Sequence, residues 1–161
     1  MTRNDILRRL RYAFDFSDSR VIGLFELGGR AVSRDQIRAW MKKEEEPSFE
    51  ALSRKDLAAF LDGLITDRRG KREGAKPATP VALTNNVVLR KLKIALSFQE
   101  ADMLEVMSLT DMPISRAELS ALFRRTDHRN YKECQDQLLR NFLTGLQCKF
   151  RGKPDQVSAE D

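Results

Sequence analysis

The sequence predicts an all-α protein made of two tandem homologous helical bundles of about 70 residues, each with four to five helices. Three observations predict it. First, Phe60-Leu61-Asp62-Gly63-Leu64 and Arg69-Gly70-Lys71 return as Phe142-Leu143-Thr144-Gly145-Leu146 and Arg151-Gly152-Lys153, always 82 positions later. The same offset carries Asn4 onto Asn86, Leu7-Arg8 onto Leu89-Arg90 and Ser33-Arg34 onto Ser115-Arg116. Second, apolar residues recur three and four positions apart behind capping residues, which is helical spacing. Third, no stretch alternates apolar and polar residues as a half-buried strand does. The boundaries are 1–71 for the first repeat, 72–83 for a linker, 84–153 for the second repeat and 154–161 for a flexible tail.

In chain order, Ile6, Leu7, Leu10, Ala13 and Phe14 mark a first helix over 4–15, with Asn4 or Thr2 as its cap. Val88, Leu89, Leu92, Ala95 and Leu96 repeat it. A second helix over 18–27 carries Val21, Ile22, Leu24, Phe25 and Leu27, capped by Asp18 and stopped by Gly28-Gly29. Its counterpart holds Met103, Leu104, Val106, Met107 and Leu109, and the pair Met103 and Met107 reads as packing. Ser33 opens a third helix, with Gln36 in the capping-box position; Ser115 and Glu118 match them. Ile37, Trp40 and Met41 are its apolar face, and Trp40 belongs to the core.

A charged turn follows, Lys42 to Pro47, and then Phe49 and Leu52, expected to dock as a short helical turn. Tyr131 and Cys134 are their equivalents. The last long helix starts near Ser53 and runs to Arg69, burying Leu57, Phe60, Leu61, Leu64 and Ile65. A glycine inside a helix costs about 1 kcal/mol relative to alanine. Gly63 and Gly145 are therefore expected at a close helix crossing, between the copies. Pro77 and Pro80 break the linker.

The totals bound the function. The chain has 161 residues, 41% hydrophobic and 33% charged, which is enough for a core. Mean hydropathy is -0.50, net charge +5 and pI about 9.4, a balance that permits an anionic partner. No run approaches a membrane span, the first residues lack the apolar core of a signal peptide, and two cysteines make no disulfide framework. A cytoplasmic protein without a membrane partner is the expectation.

Catalytic and cofactor chemistry find little footing. His128 and Cys134 are the ingredients of a nucleophilic pair, but Cys134 falls on the apolar slot of Leu52 and His128 on Glu46 in a charged turn. No histidine–cysteine spacing suits zinc, and no glycine pattern cradles a nucleotide phosphate. The reading is a protein that is not an enzyme and uses no metal or cofactor. Arg69, Gly70, Lys71 and their twins Arg151, Gly152, Lys153 fit a helix C-cap, with a phosphate hook as the functional alternative.

The segment from Val21 to Lys43 has helix-turn-helix order. Arg34, Arg38 and Lys42 stand at i, i+4 and i+8, so they share a face suited to phosphates; Arg116 and Arg124 are the counterparts, with Ser120 between them. Arg8 and Arg11, repeated as Arg90 and Lys93, add a basic side to the first helix of each copy. These nine residues form the candidate nucleic-acid surface. A protein partner held in a groove between the copies, or self-association, is the alternative.

Several of these motifs together resemble the bacterial YehS-like family. They are Asn4-x-x-Leu7-Arg8-x-Leu10-Arg11, Trp40-Met41-Lys42-Lys43-Glu44, Phe60-Leu61-Asp62-Gly63-Leu64-Ile65, Arg69-Gly70-Lys71 and Asp127-His128-Arg129-Asn130-Tyr131-Lys132-Glu133-Cys134. The resemblance runs through both copies. It departs at Asp62, where that family usually has asparagine. It implies a tandem-repeat, all-helical cytoplasmic protein and supplies no activity, since the family is one of unknown function.

Overall fold

Hydroxyl caps set the helix starts. Thr2, Ser17, Ser33, Ser53, Thr84 and Ser115 each accept the backbone N–H of the residue three positions on, which satisfies a donor the helix leaves unpaired. The computed structural model of the chain describes residues 1–70 and 82–151. Among these residues there are eight helices and no strand. The first repeat holds α1 (Arg3–Phe14), α2 (Asp18–Leu27), α3 (Arg34–Met41) and α4 (Arg54–Arg69); the second holds α5 (Asn85–Ala95), α6 (Glu100–Ser108), α7 (Arg116–Leu122) and α8 (Asp136–Arg151).

Of the two caps offered for α1 one forms, and three other local expectations need correction. Thr2, not Asn4, caps α1, because Asn4 is already buried within the helix. Ser17 rather than Asp18 caps α2. At α3 only the Ser33 half of the capping box forms, whereas Ser115 and Glu118 close both halves at α7. The segment carrying Phe49 and Leu52 is a turn followed by extended chain, not a helical turn. It is held by Glu50 N–H donating to Ala39 O at 3.2 Å, and Lys132 N–H to Ala121 O at 3.0 Å repeats the bond. The linker over 72–83 lies largely outside the described residues, and the tail over 154–161 wholly outside them.

The two repeats share their long helices. α1 packs on α8, and α4 packs on α5. Exchanging the repeats turns one contact into the other, so the relation is a pseudo-two-fold and not a simple tandem. The polar contacts obey it too. Arg9 donates to Thr144 Oγ1 at 3.1 Å, and its equivalent Lys91 pairs with Asp62. Asp62 thus carries an ion pair between the repeats. The buried residues form one continuous core from Ile6 to Leu146. Trp40 sits in it against Phe25, and Phe25 against Phe60, with ring centroids 5.3 Å apart in both pairs. Met103 and Met107 are buried as packing residues.

Gly63 and Gly145 do lie at close crossings, but within each repeat. A Cβ on Gly63 would stand 1.7 Å from Leu24 O of α2; one on Gly145 would stand 2.3 Å from Val106 O of α6. It is the residue before each glycine, Asp62 or Thr144, that faces the other repeat. In the first repeat a second glycine joins in: a Cβ on Gly28 would be 1.8 Å from Ala59 O. The equivalents of Gly28 and Ala59 are Thr110 and Asn141, and the longer distance at Gly145 shows that α6 and α8 stand less tightly together. Gly23 in α2 has nothing within 4 Å of an added Cβ. Gly23→Ala therefore gains helix propensity without a clash, and an increase of about 1 kcal/mol is expected in urea unfolding.

Candidate functional site

Among the described residues, two polar side chains, Asn4 and Asn86, are buried in the core. Asn4 Nδ2 donates to Trp40 O at 3.0 Å and Glu50 O at 2.8 Å, and its Oδ1 accepts Leu52 N–H at 2.9 Å. Asn86 repeats this on Leu122 O at 2.9 Å, Lys132 O at 2.9 Å and Cys134 N–H at 2.8 Å. One amide on the first helix thus ties down the end of the third helix and the extended chain after it. Only an amide offers two donors and an acceptor on one short side chain. The fixed gap between first and third helix becomes a groove in each repeat.

The first groove, about 840 Å³, lies between α1 and the end of α3. Arg8, Arg11, Arg38 and Lys42 line it, four of the residues picked from the sequence, together with Asp5, Lys43 and Glu44 to Glu46. The second, about 580 Å³, lies between α5 and α7. Arg90, Lys93 and Arg124 line it, with Glu100, Ser120 and an apolar side of Ile94, Leu119 and Phe123. The grooves overlap at five equivalent positions: Arg8, Arg11, Arg38, Met41 and Lys42 correspond to Arg90, Lys93, Ser120, Phe123 and Arg124.

The straight stripe of Arg34, Arg38 and Lys42 is not what forms. α3 ends at Met41 and Lys42 takes extended backbone, so it leaves the helical face. Arg34 lines neither groove and donates to Ser19 Oγ at 3.2 Å. Arg116 pairs with Glu100 at 3.2 Å. Arg124 lies beyond α7 and joins the groove from the chain that follows.

The grooves differ in charge compensation. In the first, Arg8 pairs with Asp5 and donates to Lys42 O at 3.0 Å; Arg11 pairs with Asp18. Arg38 Nε is 4.0 Å from the same Asp18 carboxylate. Burial would raise the Asp5 carboxyl, but hydrogen bonds from Thr2 and Arg8 outweigh it, and its pKa lies below the usual range. In the second, Val87 stands where Asp5 would be, and Glu100 is taken by Arg116. Arg90 donates to Phe123 O at 2.8 Å and Lys93 lies 5.8 Å from the Phe123 ring centroid. Among the described residues neither they nor Arg124 has a carboxylate partner.

The arginines before the repeated glycines are neither simple caps nor free hooks. Arg69 reaches the end of α5, at Ile94 O (3.4 Å) and Ser97 Oγ (3.3 Å). Arg151 pairs with Asp15 at the end of α1, its guanidinium 4.1 Å from the Tyr12 ring centroid. Each clasps the other repeat. Gly70 closes α4 with φ +82°, a conformation open to glycine, and donates to Thr66 O at 2.8 Å. Lys71, Gly152 and Lys153 lie outside the described residues.

Cys134 is buried, and desolvation, reinforced by Asp136, pushes its thiol up to about 11. A nucleophilic thiolate needs the opposite shift. His128 is exposed, its Nδ1 accepting Asn130 N–H at 3.0 Å. Among the described residues no helix is long and apolar enough to cross a membrane, and no three His, Cys, Asp or Glu side chains are grouped to hold a metal ion.

The buried asparagines are what sequence reasoning missed. The repeat offset marks the pair, but a helical asparagine near a start reads as a cap.

Comparison with known proteins gives the same picture of the architecture. No solved structure matches the chain. It is 39% identical over 147 residues to an uncharacterized protein, YehS, of Escherichia coli, across 91% of this chain and 94% of the relative. The family model described as "Protein of unknown function (DUF1456)" matches twice, over residues 3–70 and 85–152. Those segments coincide with the two four-helix repeats, and the chain belongs to this DUF1456 family.

Proposed function

We propose that this is a non-catalytic, cytoplasmic nucleic-acid-associated binding protein. The observation that carries the reading is the pair of equivalent grooves. They gather Arg8, Arg11, Arg38 and Lys42 in one repeat and Arg90, Lys93 and Arg124 in the other. Neighbouring cations in a concave surface attract a polyanion. The helix–turn–helix order of α2 and α3 adds less, because α3 spends Ile37 and Trp40 on the core.

The test is a titration with labelled duplex DNA and structured RNA at about 50 and 200 mM salt. Three phosphate contacts weaken binding roughly 20- to 40-fold over that range. Absence of binding at the lower salt would refute the reading.

A protein-interaction module, self-associating or not, is the second reading. Leu27 and Met112, 48% and 56% exposed, favour it. A salt-tolerant complex with a protein, and none with nucleic acid, would put it first.

A further inference from the structure

We infer that the two grooves have diverged: the one between α5 and α7 takes single-stranded nucleic acid, and in the one between α1 and α3 carboxylates offset most of the cations. This rests on the nucleic-acid reading above and assigns it to one repeat and one form of strand.

The charge argument comes first. In the α1–α3 groove the five cations Arg8, Arg11, Arg38, Lys42 and Lys43 face the four carboxylates Asp5, Glu44, Glu45 and Glu46. Arg8 and Arg11 are also held in ion pairs. A phosphate entering there must displace a carboxylate or sit beside one. In the α5–α7 groove three cations meet one carboxylate, Glu100, and that one is bonded to Arg116. The positions of Glu44, Glu45 and Glu46 are Thr126, Asp127 and His128 in the second repeat.

Shape and polarity decide the form of the strand. Reading a duplex needs a helix that projects into the major groove with base-reading donors on its outer face. α7 has seven residues; its exposed positions are Arg116, Ala117, Glu118 and Ser120, and Arg116 is already paired with Glu100. The cations lie instead inside a concavity whose wall is apolar, with Ile94 40% exposed beside Phe123. An unstacked base fits against Ile94 and Phe123 while its flanking phosphates meet Arg90 and Arg124. Bases stacked on side chains over a basic track are how single strands are bound without sequence preference.

The experiment is fluorescence anisotropy with a labelled oligothymidylate of about ten nucleotides, and the same strand annealed to its complement, at about 50 mM salt. Arg124→Glu and Ser120→Glu should each weaken single-strand binding at least about tenfold, and Lys42→Glu less than about threefold. Ser120→Glu is the safeguard: its side chain is exposed and forms no bond that supports the fold. Equal losses in the Lys42 and Arg124 variants, or tighter binding of the duplex, would overturn the assignment while leaving the nucleic-acid reading standing. No binding of either probe by the unaltered chain would remove both.

Discussion

Asn86→Ala, and separately Asn4→Ala, should cost about 3 to 5 kcal/mol of folding stability, although each removes only one small side chain. The reason lies in what is left behind. Without Asn86, the carbonyls of Leu122 and Lys132 and the N–H of Cys134 lose their partner together. A buried polar group left unpaired costs about 1 to 3 kcal/mol, and partial access of water keeps the sum below three times that. Asn→Asp should be no milder, since a carboxylate would face two carbonyl oxygens where the amide donated. Urea unfolding of the four variants measures it. A loss under about 1 kcal/mol in Asn86→Ala would show that the extended chain is held by something else. Binding should fall as well in Asn86→Ala, because Phe123 and Arg124 sit on the chain that the amide secures.

Gly63→Ala should be the second most damaging change, about 3 kcal/mol, with Gly145→Ala smaller at about 1 to 2 kcal/mol. Helix propensity alone favours both alanines by about 1 kcal/mol. Sterics oppose it with rigid backbone: the new methyl carbon would lie 1.7 Å from Leu24 O in one case and 2.3 Å from Val106 O in the other. Neither carbonyl can move without its helix. In the second repeat the Val106 side chain also contributes to the clash, at 2.7 Å, and it has some freedom to turn. The order Gly63 above Gly145, with Gly23→Ala of opposite sign, separates crowding from propensity. Thermal unfolding of the three variants decides it, and stabilisation by Gly63→Ala would contradict the close crossing.

The helices were legible because their signals are local. Ser33 and Ser115 announce the same boundary twice, and apolar spacing shows which face is buried. The offset of 82 residues revealed the duplication without reference to any contact. What stayed hidden depends on how distant segments meet. Asn4 and Glu50 are far apart in the chain, and no spacing rule says that one bonds the other. The repeated glycine signalled a crossing, yet its partner helix cannot be read from α4 alone. Seven of the nine basic residues singled out line the two grooves and Arg34 and Arg116 do not; the i, i+4, i+8 rule assumed that the third helix runs on to Lys42. It ends at Met41, and the cations meet across a groove with α1 rather than along one face. Charge compensation was the least visible property, since Asp18 reaches Arg11 and Arg38 only once α1, α2 and α3 have packed.

The measurement that bears most directly on function is the perturbation of backbone amide NMR signals by an unlabelled single-stranded oligonucleotide. Shifts should concentrate at Arg90, Lys93, Ile94, Ser120, Phe123 and Arg124, with Arg8, Arg11, Arg38 and Lys42 little moved. Shifts spread equally over both grooves would contradict the division between the repeats, and a spectrum unchanged at saturating oligonucleotide would contradict nucleic-acid binding itself.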